Sequence, residues 1–177
     1  RSTLFPYTTL FRSGRRIGNN AATIVDCHEE VMMKIKDFLE GIGYEGMCDC
    51  DLKYDQRDGT FKMLEINIRQ GRSHYRVTGG GDNIAKLITE DYVYHQRREG
   101  LKIVRDKFFW HAVPLGVVYK YVRDPELVRE IRQLVREGKS CHSLYYPQDM
   151  SFRRRMYLKL RDINMYRKYR KYLKQQG

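Results

Sequence analysis

Three polar side chains alternate along the apolar run Leu64-Glu65-Ile66-Asn67-Ile68-Arg69. A β-strand sends every second side chain to the same face, so Glu65, Asn67 and Arg69 are predicted to point the same way. Carboxylate and carboxamide oxygens are hard ligands of the kind that Mg²⁺ prefers. A guanidinium one step further along can contact a phosphate oxygen or stabilise developing negative charge. The spacing therefore predicts a phosphoryl-transfer site, or half of one.

An acidic strand precedes this run. In Cys48-Asp49-Cys50-Asp51-Leu52-Lys53-Tyr54 the charged residues alternate with apolar ones, and the Asp58-Gly59 pair predicts a hairpin turn after them. If the polar faces of the two strands coincide, Asp49 or Asp51 lies across from Glu65. Facing carboxylates repel each other, so this pattern requires a metal ion or a basic group. The alternative is a solvated sheet face whose charges have no function.

The residues from Lys53 to Thr78 resemble a known family pattern. They match the segment KYDxRDGxxKxxEINxRQGRSxxxVT, which is typical of the carboxylate–amine ligases that include D-aspartate ligase. An E-x-N-x-R run beside an acidic strand also resembles the C-terminal half of an ATP-grasp domain. The resemblance covers nearly all of the chain from Gly14 onward. It implies an α+β fold, the C-terminal lobe of an ATP-grasp enzyme, with an antiparallel sheet covered by helices.

The resemblance also implies roles for the residues of the hairpin. Glu65 and Asn67 would ligate Mg²⁺ between the phosphates of ATP. Asp51 would be the additional metal ligand, and Asp49 is its rival for that place. Arg69 would be the catalytic residue, stabilising the transition state in which an acyl phosphate forms. ATP and Mg²⁺ are therefore the expected cofactors.

Further roles follow from the same resemblance for the residues beside the hairpin. Arg72, Ser73 and His74 would bind the carboxylate substrate or its phosphate, although a hydrogen-bonded or surface role is the more common one for a histidine. His74 stands where the family pattern commonly has Asn, so this residue is expected to help choose the substrate. Leu64 would form part of the adenine pocket, although strict alternation places it on the strand face opposite Glu65.

The implied activity is the ATP-dependent formation of an amide from a carboxylate and an amine, through an acyl phosphate. Within the family, the expected partners are D-aspartate and the lysine amine of a peptidoglycan precursor, in the cytoplasm. One alternative is an ATP-grasp ligase with a different small-molecule acceptor. The other is a non-catalytic basic module that binds nucleic acid or a membrane, with an acidic hairpin that is only structural.

The first residues are predicted to be foreign to the protein. Residues 1–13, RSTLFPYTTLFRS, resemble the in-frame translation of a sequencing adapter, and they lack the basic start and apolar block of a signal peptide. The alternative is a short N-terminal strand. The expected organisation is a leader at 1–13, the ATP-grasp lobe at 14–122 and a helical extension at 123–177. Because the lobe with the phosphate-contacting lysines would precede Gly14, we expect this chain alone to be inactive.

The positive charge is concentrated in the tail. Residues 151–177 carry ten Lys or Arg and one Asp, which gives +9 of the net +12 of the 177-residue chain. Three alternatives follow: a helix that packs its apolar stripe on the domain, attachment to an anionic membrane surface, and, less favoured, binding to nucleic acid. The four cysteines lack framework spacing. Cys27-His28 with Cys141-His142 is a conceivable zinc set, whereas reduced thiols are the default.

Apolar spacing predicts the remaining elements. A helix is expected from Ile24 to Leu39 and a buried strand or strand pair from Phe108 to Val122. Asp124-Pro125-Glu126 is a helix start, and that helix should end at Gly138. The tail should be a long basic helix, whose predicted apolar positions are Phe152, Met156, Leu160, Ile163 and Tyr169.

Overall fold

Short strands and helices alternate along the chain in the computed structural model, which describes residues 7–12, 20–71, 74–96 and 100–173. In chain order the elements are β1 (Tyr7–Arg12), β2 (Asn20–Val25), α1 (Glu29–Gly41), β3 (Asp49–Asp55), β4 (Thr60–Asn67), α2 (Tyr75–Gly79), α3 (Ile84–Ile88), β5 (Phe108–His111), α4 (Leu115–Tyr121), α5 (Pro125–Arg136), β6 (Ser140–His142) and α6 (Phe152–Leu173). A π-helical turn at Thr89–Val93 follows α3, and a 3-10 turn at Pro147–Asp149 precedes α6. The chain is therefore mixed α+β with small sheets, as expected.

The described residues form two compact units. We call residues 27–106 the hairpin unit, and residues 7–26 together with 107–173 the sheet unit. The domain boundaries expected from the sequence, after residues 13 and 122, stay predictions.

A four-stranded sheet in the order β1-β2-β5-β6 organises the sheet unit. The first two pairings are antiparallel, whereas β5 and β6 are parallel. The sequence predicted an antiparallel sheet, so the parallel pair is a correction. Its physical reason is that α4 and α5 lie between β5 and β6 in the chain, and such a helical crossover allows the second strand to return in the same direction. Strand β1 is the N-terminal strand that was the alternative to a foreign leader, and the leader's origin stays a prediction.

The apolar run at 108–122 is a strand followed by a helix, not a strand pair. All four residues of β5 are buried. Pro114, with φ −56°, then precedes α4, in which Val117 and Val118 are buried in the core of the sheet unit. The predicted buried strand is confirmed at Phe108–His111 and wrong at Leu115–Tyr121, because a short run that is apolar throughout has no readable period and strand and helix cannot be told apart. Helix α5 is confirmed: Asp124 accepts hydrogen bonds from the backbone N–H groups of Glu126 and Leu127.

Helix α1 begins later than its apolar spacing predicted. Ile24 belongs to β2, where Thr23-Ile24-Val25 are three consecutive β-branched residues of the kind that favours a strand. The helix starts at Glu29 and ends at Gly41. Its buried side chains form the core of the hairpin unit: Met32, Ile35 and Leu39.

The predicted hairpin is present as β3 and β4. Gly59 has φ +67° in the connecting turn, a left-handed conformation that glycine adopts without strain. Asp58 accepts hydrogen bonds from the backbone N–H and the hydroxyl of Thr60 at the same turn. One face of the hairpin packs against α1 through Cys50, Leu52 and Ile66. The other face is left for polar residues.

Helix α6 packs on the sheet unit by a side other than the predicted one. Leu158 and Tyr169 are buried, and Met165 packs against the same core. Four of the five predicted stripe residues are instead exposed: Phe152, Met156, Leu160 and Ile163. Both sets of residues have helical spacing, so the period alone could not decide between them. Among the described helices, none combines the length and the apolar character needed to cross a membrane.

Substitutions on α6 test which side is packed. Leu158 is 2% exposed and Leu160 is 62% exposed. We expect Leu158→Ala to lower the free energy of unfolding of the sheet unit by about 2–4 kcal/mol, because it leaves a cavity. Leu160→Ala should change it by less than about 0.5 kcal/mol. Fluorescence of Trp110, the single tryptophan and buried in β5, reports urea unfolding of this unit. Equal losses in the two variants would contradict the observed packing.

Candidate functional site

The polar face of the hairpin gathers the predicted ligands on two neighbouring strands. In the β3–β4 register, Asp51 lies opposite Glu65, and Asp49 lies opposite Asn67. Directly opposite residues share a face, and alternation puts both pairs on the same one. Cys50 and its partner Ile66 point the other way, into the core with α1. The structure therefore brings together the oxygen-bearing side chains that the sequence singled out.

A β-bulge separates this polar end of the hairpin from the turn. The register shifts between Asp51 and Leu52, because Leu52 pairs with Met63 and leaves Leu64 as the extra residue. Bulges strengthen the local twist, and they are common beside functional sites because they change where a side chain points. Strict alternation predicted Leu64 on the apolar face, yet it is exposed. The bulge is the physical reason, and the adenine-pocket role of Leu64 stays a prediction.

Glu65 and Asn67 contact each other directly. The Asn67 Nδ2 donates a hydrogen bond to Glu65 Oε1 at 2.6 Å. Among the described residues, no group of three or more His, Cys, Asp or Glu side chains is arranged to hold a metal ion. The set Asp51, Glu65 and Asn67 has two carboxylates and one amide. This donor set fits Mg²⁺, which proteins commonly bind through one or two carboxylates together with substrate phosphates and water.

Asp49 is held by two buried basic side chains. Its Oδ1 accepts from Arg76 Nη2 and its Oδ2 from His74 Nε2, each at 3.2 Å. Burial by itself would raise the pKa of Asp49, but the hydrogen bond from His74 and the positive charges of Arg76 and Arg69 lower it overall. Both oxygens of Asp49 are thus occupied. Of the two rival acids on β3, Asp51 is the one whose place opposite Glu65 suits a shared cation.

His74 ties the loop after β4 back to β3. The backbone N–H of Gly71 donates to His74 Nδ1 at 3.1 Å, so Nε2 carries the proton that faces Asp49. His74 is 5% exposed and Arg76 is 2% exposed. The ring of His74 is thus hydrogen-bonded within the protein, and its predicted contact with substrate stays a prediction. This histidine therefore fixes the loop that carries Arg69.

The structure describes fewer contacts for the remaining predicted residues, Arg69, Arg72 and Ser73. Arg69 is exposed on the loop that follows Asn67, close enough to Asp49 for its charge to lower the pKa of that carboxyl. Arg72 and Ser73 lie outside the described residues. Arg76 was not among the predicted site residues. The signal for it was the acidic face itself, which required a basic group, but nothing in the spacing identified an arginine 27 residues from Asp49.

Gly71 is needed where the loop meets β3, and its replacement tests this contact. A Cβ at residue 71 would lie 2.8 Å from Asp49 Oδ2 and 3.2 Å from His74 Nε2. We expect Gly71→Ala to destabilise the hairpin unit by about 1–3 kcal/mol through overpacking, measured by amide hydrogen exchange of β3 and β4. Gly41→Ala is the control, because a Cβ there meets nothing within 4 Å. Unchanged exchange in Gly71→Ala would contradict the close approach.

The histidine–cysteine pairs considered for zinc do not meet in a described metal cluster. Cys27-His28 belongs to the hairpin unit and Cys141-His142 to the sheet unit. Burial raises the pKa of the Cys141 thiol to about 11. Burial, together with the positive charges of His111 and Arg161, lowers the pKa of His142 from 6.5 to about 3. His142 is therefore neutral in the folded protein and accepts a hydrogen bond from the backbone of Leu144.

The lowered pKa of the half-buried His142 predicts acid sensitivity of the sheet unit. Between pH 6.5 and about 3 the unfolded chain protonates His142 and the folded chain does not, so stability falls as the pH falls. The slope from one such group is at most about 1.4 kcal/mol per pH unit. We expect His142→Asn, whose amide oxygen can still accept from Leu144, to have a shallower loss between pH 7 and about 5. Urea unfolding followed by Trp110 measures this. The exposed His95→Asn is the control, and equal slopes in all three proteins would refute the prediction.

One curated protein of known name is similar to most of this chain. The chain is similar to D-aspartate ligase of Enterococcus faecium (strain Aus0004), with 34% identity over 160 residues. The aligned region covers 88% of this chain and 38% of that relative, so the chain spans well under half of the relative's length. This similarity confirms the resemblance to the D-aspartate ligase-like family. No protein-family model and no solved structure matches the chain.

Proposed function

We propose that this chain supplies the Mg–ATP-binding strands of an ATP-grasp carboxylate–amine ligase. The observation that carries the proposal is the register of the hairpin, in which Asp51 faces Glu65 beside Asn67. The name of the similar D-aspartate ligase supports ligase chemistry and the use of ATP. Because the chain spans only part of that relative, the activity belongs to the whole protein of which these strands would form part.

The proposed metal site consists of Asp51, Glu65 and Asn67. Two like charges on adjacent strands repel each other, and a divalent cation between them removes that repulsion. When bound, Mg²⁺ would neutralise phosphate charge and polarise the phosphoryl group. Asp49 lies outside this ligand set, because His74 and Arg76 hold both of its oxygens.

Arg69 is the proposed catalytic residue. A carboxylate oxygen of the substrate would attack the γ-phosphorus of ATP, and ADP would leave with the electrons of the broken bond. The amine would then attack the acyl carbon, and phosphate would leave as the amide forms. Negative charge develops on the transferred phosphoryl oxygens in the first step, and a fixed guanidinium stabilises it. His74 and Gly71 would hold the loop that presents Arg69.

D-Aspartate is the carboxylate that we propose, on the strength of the relative's name. The proposed acceptor is the lysine amine of a peptidoglycan precursor, and the proposed location is the cytoplasm, where ATP is available. These assignments depend on the family resemblance, and a ligase with another small-molecule acceptor would use the same hairpin.

The metal assignment is testable with the chain itself. We expect Mn²⁺, used as a paramagnetic substitute for Mg²⁺, to bind the chain and to be displaced by Mg²⁺. Glu65→Gln should weaken Mn²⁺ binding at least about tenfold, because it removes one of two anionic ligands. Electron paramagnetic resonance of free Mn²⁺ during a titration measures the affinity.

Glu40→Gln is the matched control, because Glu40 is an exposed acid of the same unit that pairs with Lys36 on α1. It should bind Mn²⁺ as the unaltered chain does. Amide hydrogen exchange of β3 and β4 verifies that Glu65→Gln keeps its fold. Equal Mn²⁺ affinity in the unaltered chain and in Glu65→Gln would remove the metal site from the hairpin.

A further inference from the structure

The exposed face of α6 carries an apolar stripe that the sheet unit does not use. Phe152, Met156, Leu160 and Ile163 follow each other at spacings of four, four and three, so they lie along one side of the helix. All four are exposed, and Phe152 is 77% exposed. The opposite side carries Leu158 and Tyr169, which are buried in the sheet unit. Helix α6 is thus apolar on two opposite sides, of which the described residues cover one.

Basic side chains border this stripe. Arg155 and Lys159 lie along one edge, Arg153 lies along the other, and all three are exposed. Arg167 and Arg170 continue the same face beyond Ile163 and are exposed too. The single acid of residues 151–177, Asp162, lies seven residues after Arg155 and therefore beside the same edge, where it accepts a hydrogen bond from Tyr145 at 2.7 Å. The outward face of α6 is therefore apolar along its centre and positive at its borders.

The chemistry of this face selects among partners. An apolar centre offers no hydrogen-bond donor to a phosphate backbone, so nucleic acid would leave most of the stripe exposed to water. A second copy of the chain, paired stripe to stripe, would bring the basic borders of both copies together. A protein groove that encloses a helix could not surround α6, because its other side is buried in the sheet unit. An anionic lipid bilayer offers an apolar interior to the stripe and negatively charged headgroups to the basic borders.

We infer that α6 binds the surface of an anionic lipid bilayer, with Phe152, Met156, Leu160 and Ile163 inserted among the acyl chains near the headgroups. Arg153, Arg155 and Lys159 contact the lipid phosphates. This attachment does not depend on the proposed ligase activity. It would hold the sheet unit at a membrane surface by a helix that lies in the interface and does not span it.

Vesicle binding by the chain tests this inference. We expect co-sedimentation with vesicles of phosphatidylcholine and phosphatidylglycerol, little binding to phosphatidylcholine alone, and weaker binding as salt is raised. The double variant Leu160→Gln, Ile163→Gln should bind at least about tenfold more weakly, since it removes two inserted side chains. Lys159→Gln should lower the affinity about fivefold. The control is Val93→Gln, a substitution of an exposed apolar residue in the hairpin unit.

Each other result would overturn the inference. Equal binding to both kinds of vesicle, or to neither, would exclude attraction to anionic lipid. RNA binding that survives the double variant, without vesicle binding, would assign the tail to nucleic acid. A dimer that the double variant abolishes, without vesicle binding, would assign the stripe to a second copy of the chain. Trp110 fluorescence verifies that each variant keeps the fold of the sheet unit.

Discussion

The opposition of Asp51 and Glu65 across two strands is the constraint on which the hairpin unit depends. Two carboxylates on adjacent strands repel each other, so the pairing persists only because other contacts impose it. The opposite side of the same strands supplies them: Cys50 and Ile66 pack against α1, and a slip of one residue would move these apolar side chains into water. Hydrophobic burial thus fixes a register that concentrates negative charge, and this concentration makes the face suitable for a cation.

A second set of contacts, from His74 and Arg76, stabilises the negative charge of Asp49 on this face. Asp49 would be a costly buried acid without partners, and Arg76 and His74 supply them from the segment after β4. The backbone of Gly71 then fixes the protonated nitrogen of the histidine. The loop between β4 and α2 is consequently tied to β3, and Arg69 lies on that loop. The same network that neutralises one acid thereby orients the segment which the proposed chemistry requires.

The sequence predicted the hairpin well because its signals are local. The Asp58-Gly59 turn and the alternation on both strands predicted two paired strands with a shared polar face, and they left Asp49 or Asp51 as the acid opposite Glu65. The bulge at Leu64 is what places Asp51 there. The spacing of apolar residues did not identify which side of α6 packs on the sheet unit. It also did not distinguish strand from helix at Ile24 and after His111. The bulge at Leu64 and the contact of Asp49 with Arg76 depend on tertiary packing, and no local pattern encodes them.

The two ends of the hairpin are held by side-chain contacts that differ in the sequence separation of the paired residues. At the turn, Asp55 pairs with Arg57 two residues away and Asp58 with Lys62 four residues away. At the other end, Asp49 depends on Arg76, 27 residues further along the chain. Short loops close quickly and at low entropic cost, whereas distant contacts require the surrounding structure first. We therefore expect the two strands to pair first at the turn and last at the end that bears the acidic pair, where pairing depends on Arg76 of α2.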